Sequence, residues 1–378
     1  MKKHPFDKPV DRRETSSTKW ERYKDRDILP MWVADTDFTA APAITEALQA
    51  RIAHGVFGYT QRPAELNSIF TERMQQLYDW QAEEEWLVWL PGLVSGLHLS
   101  CRAVNSPVTL TPQTIYPPFR SAPGLSGGQH LGIPMLEQEG RWLTDFSALE
   151  AAITPDTRLL LFCNPHNPGG TVYRREELEQ LADICVRHDL IICSDEIHCD
   201  MILEPGTDHI PLASLSPEIA ARTITLMAPS KTFNIAGLGC SVAIIPDQAL
   251  RNRFRKVRRG IVPDVNLLGY TATLAAYQDG DNWHRQQLNY LRGNRDYLLQ
   301  EINRIPGLKL AHFDATYLAW IDVRDVSTDD PAAFFEAAGV GMSPGKDFGD
   351  AHFTRLNFGC PRSTLEEAIR RLRQALAG

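Results

Sequence analysis

Along the chain, apolar and polar positions alternate in three different textures. Up to about residue 40 the pattern is polar and irregular, ending in Leu29-Pro30-Met31-Trp32-Val33-Ala34-Asp35-Thr36-Asp37-Phe38, with Asp at alternate positions, which reads as a loop. Ile44, Leu48 and Ile52 then recur at helical spacing behind Pro42 and before Gly55, which predicts a helix over Pro42 to Ala53. A second helical pattern covers Glu65 to Trp80, and the aromatic stretch Val56-Phe57-Gly58-Tyr59-Thr60 between the two reads as a loop.

From Trp86 short apolar runs bounded by turn residues replace this pattern. Trp86–Leu90, Pro107–Leu110, Arg158–Cys163, Leu190–Glu196, Arg222–Met227 and Ser241–Ile245 read as buried strands. Helices are expected from the turn Pro91-Gly92-Leu93-Val94-Ser95-Gly96 through Val104 and from Arg175 to His188, and Tyr116-Pro117-Pro118-Phe119 as a rigid loop. Apolar strands joined by helices imply a largely parallel sheet covered on both faces. Near residue 280 the pattern changes again. Helices are expected at Trp283–Ile305, Pro331–Ala338 and Thr364–Ala377, and strands at Thr316–Val323 and Thr354–Phe358. The expected fold is α/β, with a large domain over 46–280 and a smaller α+β domain over 281–378 that residues 1–45 join.

Composition narrows the class. With 43% hydrophobic and 23% charged residues and a net charge of −8, the chain reads as globular and shows no basic footprint for nucleic acid. Seven cysteines, an odd number without a Cys-x-x-Cys pair, favour reduced core thiols and a cytoplasmic setting. No stretch is long and apolar enough to span a membrane. The polar start Met1-Lys2-Lys3-His4-Pro5 gives no expectation of a secretory leader.

Candidate chemistry gathers at three strand ends. Asn167 lies in Asn164-Pro165-His166-Asn167-Pro168-Gly169-Gly170, Asp195 ends a strand, and Lys231 follows one in Ala228-Pro229-Ser230-Lys231-Thr232-Phe233-Asn234. A parallel sheet brings such ends to one edge. A lysine there is costly as an ammonium and sensible as a Schiff base. An aldehyde cofactor with a pyridine ring uses all three: the lysine forms the imine, the carboxylate keeps the ring nitrogen protonated, and the amide donates to the ring oxygen. Asp195-Glu196 with His198 and Asp200 is the competing metal reading, without a second ligand cluster to support it. Gly92 and Leu93 open a helix that can cradle a phosphate, Ser230 adds a hydroxyl, and Tyr116 can stack on a ring. Arg355 shares a strand face with Phe353 and Asn357 and suits a substrate carboxylate, with Arg362 as its rival.

These motifs, with Phe57-Gly58-Tyr59, Ser194–Asp200 and Arg355–Arg362, resemble pyridoxal 5′-phosphate (PLP) enzymes of the class I/II aminotransferase superfamily, fold type I, and within it the MalY/PatB-type C–S β-lyases. The resemblance implies a seven-stranded-type sheet in the large domain. It implies PLP on Lys231, with Asp195 at the pyridine nitrogen, Asn167 at the phenolate oxygen, Tyr116 on the ring and Gly92, Leu93 and Ser230 at the phosphate. It also implies a homodimer in which Tyr59 reaches the phosphate of the other subunit, and Arg355 on the substrate's α-carboxylate. Ala34 and Asp35 join the substrate site. Many aminotransferases carry a tyrosine where His198 stands and a phosphate-binding arginine where Gly239 stands; the lyase branch departs at both places. The implied activity is α,β-elimination from L-cystathionine or other cysteine S-conjugates. An aminotransferase and a lyase with an added protein-binding regulatory role are the alternatives.

Overall fold

The computed structural model describes residues 4–377, so Met1–Lys3 of the polar start lie outside the described residues. Its centre is a seven-stranded sheet. The spatial order is Leu87–Leu90, Ser241–Ile244, Thr223–Met227, Ile191–Asp195, Thr157–Cys163, Val108–Pro112, Gln129–Ile133. Ser241–Ile244 runs antiparallel to both neighbours and every other pairing is parallel. The strands are apolar on both faces because both faces are covered: every residue of Leu87–Leu90, Thr223–Met227 and Ser241–Ile244 is buried. One side packs on Leu97, Phe119 and Phe254, another on Ile44, Phe70 and Tyr277.

A second, antiparallel sheet takes in Lys309–Leu310, Leu318–Asp322, Phe353–Asn357 and Ser343–Pro344. The helices Asp281–Ile302 and Arg362–Ala377 cover it, burying Leu298, Ile302, Leu365 and Ile369 with Leu318 and Leu356. Among the described residues no helix is long and apolar enough to cross a membrane.

One expectation needs correction and some elements escaped prediction. Tyr116–Phe119 is not a loop: Pro117 opens a helix through Leu125, because a proline at the first helical position gives up only an N–H that has no intrahelical partner. The helices Gln248–Arg258 and Leu267–Asp279 and the edge strand Gln129–Ile133 escape the pattern. That strand is half-exposed and carries Gln129, His130 and Gly132. The N-terminal segment is irregular over 31–41, as its pattern predicts, yet firmly seated. Leu29–Pro30 pairs in parallel with Val340–Gly341, tying the start of the chain to its last quarter. Lys19, 1% exposed, sits 2.8 Å from Asp37, and Arg12 bridges Asp35 and Asp37 at 2.8 Å each. Burial alone would raise the Asp37 carboxyl, but Lys19, Trp20 and Arg12 hold it below its ordinary value.

Removing one member of a buried ion pair strands the other. Lys19→Ala is therefore expected to cost about 3 kcal/mol in denaturant unfolding. A loss below about 1 kcal/mol, the range of an exposed pair, would show that this contact does not hold the segment down.

Candidate active site

The parallel register places the three strand ends side by side. Cys163 pairs with Asp195, and Asp195 with Leu226, so the turn after Cys163, the carboxylate and the loop after Met227 share one edge of the sheet. They open into a cavity of about 410 Å³. Asn167, Asp195, His198, Ser230 and Lys231 line it from the large sheet, Gly92, Leu93 and Tyr116 from helix starts, and Ala34 and Arg355 from the N-terminal segment and the second sheet.

Lys231 Nζ donates to the carbonyl of Ala34 at 2.7 Å, and the Tyr317 hydroxyl donates to the same oxygen at 3.1 Å. Burial first, then the cation of Arg355, pushes the amine down to about 8, against the pull of Asp35 and Asp195. Asp195, 4% exposed, accepts from the Ile197 N–H at 3.1 Å, and burial pushes its carboxyl up to about 7. His198 is buried with Nδ1 unpartnered. Burial and the cations of Lys231 and Arg355 push it down to about 3, so it is a neutral imidazole.

Arg355 is 4% exposed and makes no ion pair among the described residues. Its Nη1 donates to Asn167 Oδ1 at 3.0 Å and its Nη2 to the Trp32 carbonyl at 2.9 Å, and the guanidinium lies 4.5 Å from the Phe348 ring centre. Nε has no partner, and burial pushes the group down to about 10. A planar cation held without an anion suits a carboxylate. Arg362, its rival, stays outside the cavity lining. It donates to Asn294 at 2.9 Å and covers the Tyr297 ring.

At the other end the helix Leu93–Val104 begins at Gly92, which has φ +155° and no side-chain cap. The first-turn N–H groups of such a helix have no partner within it and suit an anion. Gly239 borders the same place at φ +58°, where a Cβ would stand 2.7 Å from the Pro91 carbonyl oxygen. The arginine that many aminotransferases carry here is excluded by backbone space.

Two expected residues are not brought in. Asp35 does not line the cavity; Arg12 holds its carboxylate. Tyr59 is fully exposed, beside exposed Val56 and Phe57. Other residues went unrecognised. Asn357 donates to the carbonyls of Val33 and Asp35, and Asn234 to those of Thr36 and Phe38, so both fasten the segment that forms one wall. Asn357 shares a strand face with Arg355 and Asn234 lies three residues past Lys231; those spacings were the available signal. The acid at Asp195, the free nitrogen of His198, the amine of Lys231 and the open cradle at Gly92 fit the aldehyde–phosphate cofactor that the sequence resemblance implies.

Comparison with known proteins agrees with this geometry. The family described as aminotransferase class I and II matches residues 30–372. The cystathionine β-lyase PatB of Bacillus subtilis is 37% identical over 98% of this chain and all of its own. The crystal structure of OvoB is 51% identical and covers 99% of each chain at a TM-score of 0.96. That of cystalysin from Treponema denticola, which contains a pyridoxal 5′-phosphate cofactor, is 31% identical at 0.94 and again covers 99% of each chain. The chain thus belongs to the class I and II aminotransferase family, and within it to the PatB/MalY type.

Because burial raises the Asp195 carboxyl from 3.8 to about 7, the folded cofactor-free protein binds a proton there that the unfolded chain has released. Stability from this group is intact below pH 4 and is lost as pH rises to about 7. Cofactor-free Asp195→Asn is therefore expected to match the parent at pH 4 and to exceed it at pH 8 by a few kcal/mol, since each tenfold difference in proton affinity between folded and unfolded chain is worth about 1.4 kcal/mol. Equal stabilities at pH 8 would show that the carboxyl is not desolvated.

Proposed function

We propose that the protein is a PLP-dependent C–S β-lyase that splits L-cystathionine or related cysteine S-conjugates into a thiol, pyruvate and ammonia. One observation carries the reading: a buried guanidinium without an anion, Arg355, shares a cavity with the desolvated amine of Lys231. That pair receives an α-amino acid by its carboxylate and presents a base to it. The bond broken follows from PatB, a cystathionine β-lyase by name, which aligns with the chain along its whole length.

Lys231 would hold the cofactor, Asp195 its pyridine nitrogen, Asn167 and His198 its ring oxygen, Tyr116 its ring face, and Gly92, Leu93 and Ser230 its phosphate. When bound, PLP supplies an electron sink for the pair released at the substrate's Cα. Arg355 fixes the α-carboxylate, and Ala34 borders the bound amino acid. Lys231 Nζ takes the Cα proton, a role its lowered pKa suits. The Cβ–S bond then breaks with its electrons leaving on sulfur. A thiol with a pKa of about 8.5 leaves without a strong acid. The aminoacrylate left behind takes up one water and yields pyruvate and ammonia.

A homodimer belongs to the same reading. Tyr59 stands clear of its own subunit with Val56 and Phe57, and such an apolar loop suits a second copy whose phosphate it reaches. A cytoplasmic setting is supported by seven cysteines that are all free and buried. A large unit over 46–280 and a small one over 281–378, with the first 45 residues on the latter, is supported by the separate sheets and the Leu29–Pro30 pairing.

The test is a pyruvate assay on holoenzyme with cystathionine and simpler S-conjugates. Lys231→Ala is expected to lose at least about a hundredfold in turnover. Arg355→Ala is expected to lose about a hundredfold in kcat/KM, as befits a lost charged hydrogen bond of about 3 kcal/mol. Keto-acid release with accumulation of pyridoxamine phosphate, and no pyruvate, would make the protein an aminotransferase instead.

For the dimer, Lys231→Ala and Tyr59→Ala chains are unfolded, mixed in equal amounts and refolded together. Hybrid dimers carry one intact site, so activity should return to about a quarter of the parent's. Two inactive variants that stay inactive together would place Tyr59 elsewhere.

A further inference from the structure

The cavity holds more charge than the proposed chemistry uses. Its charged lining side chains are Arg22, Asp195, Lys231, Asp347 and Arg355. Buried Asp195 and Arg355 and half-buried Lys231 have work at the cofactor and the α-carboxylate. Arg22 and Asp347 are exposed, opposite in sign, and neither side chain makes a hydrogen bond or ion pair among the described residues.

Their placement is not that of loose surface charges. The Arg22 guanidinium lies 4.6 Å from the ring centre of Trp32, which itself lines the cavity. Trp32 is fixed on both sides: its Nε1 donates to the Lys19 carbonyl at 3.0 Å, and its own carbonyl accepts from Arg355 at 2.9 Å and from Ser343 at 2.9 Å. Asp347 directly precedes Phe348, whose ring lies under Arg355. Each of the two aromatic residues that seat Arg355 thus has one of the free charges as its neighbour, Arg22 over the Trp32 ring and Asp347 next to Phe348 in the chain, and all four line the cavity. A substrate held by its α-carboxylate at Arg355 has its far end in the same cavity as a planar cation and an anion.

We infer that Arg22, on its Trp32 platform, and Asp347 form a distal subsite for a second amino-acid head on the sulfur side of the substrate. Arg22 takes the distal carboxylate and Asp347 the distal ammonium. The inference rests on the lyase reading and sharpens it: the substrate class is a cysteine conjugate whose leaving thiol is itself an α-amino acid. A stacked, fork-shaped guanidinium keeps its donors in plane for a carboxylate, which a flexible lysine does not.

The test uses holoenzyme and two ligands that cannot be cleaved. Diaminosuberate carries an amino-acid head at each end and replaces the sulfur by methylene; aminooctanoate carries one head only. Calorimetry is expected to give about tenfold tighter binding of diaminosuberate, the scale of one charged hydrogen-bonded contact. Arg22→Gln should erase that preference, Arg22→Lys should restore part of it, and Asp347→Asn should reduce it. Aminooctanoate should bind all four proteins alike. In the pyruvate assay, Arg22→Gln should raise KM for cystathionine about tenfold at unchanged kcat and leave an S-alkyl cysteine untouched. A preference that survives Arg22→Gln, or a loss shared by both ligands, overturns the subsite. Absence of pyruvate from every conjugate with the parent enzyme overturns the lyase reading alone, and the calorimetric comparison still decides the subsite.

Discussion

The structure turns on a cation buried without an anion. Taking a guanidinium out of water costs several kcal/mol unless its donors are satisfied. At Arg355 the two Nη groups are held by neutral oxygens, an amide from the large sheet, a carbonyl from the N-terminal segment and, more distantly, a hydroxyl from the second sheet, while Nε has no partner. Three separate parts of the chain meet at one side chain. The arrangement leaves the charge uncompensated by any anion among the described residues.

The N-terminal segment is what closes that arrangement. The backbone carbonyls of Trp32, Val33, Ala34, Asp35, Thr36 and Phe38 are taken up by Arg355, Asn357, Lys231, Tyr317 and Asn234. Two of its side chains, Asp35 and Asp37, are neutralised by Arg12 and Lys19. A stretch without regular secondary structure is thereby tied down by side-chain hydrogen bonds along most of its length. The polarity that made it look like a loop in the sequence is the means of its attachment.

The large sheet was legible because each strand is an apolar run buried on both faces, and such runs need no partner to be recognised. The strand ends with Asn167, Asp195 and Lys231 were legible for the same reason, since a parallel sheet fixes which ends coincide. What stayed hidden depends on neighbours distant in the chain. Gln129–Ile133 is an edge strand with one wet side, so its pattern is diluted. The helix Leu267–Asp279 is apolar nearly all round and gives no periodic stripe. Asp35 looked like a substrate group because its partner, Arg12, lies 23 positions earlier. Asn357 and Trp32 act through backbone carbonyls, which leave no mark on composition.

Gly239 has a consequence for salt and for engineering. With a left-handed backbone pressed against the Pro91 carbonyl, the position admits no side chain unless the main chain moves first. An anion seated at the start of the Leu93–Val104 helix therefore meets oriented amide dipoles, with no mobile cation offered from position 239. Dipoles at contact range are screened far less than separated charges. The grip on that anion should change little with ionic strength. Grafting an arginine there would begin with the loss of a turn, well before any gain of charge.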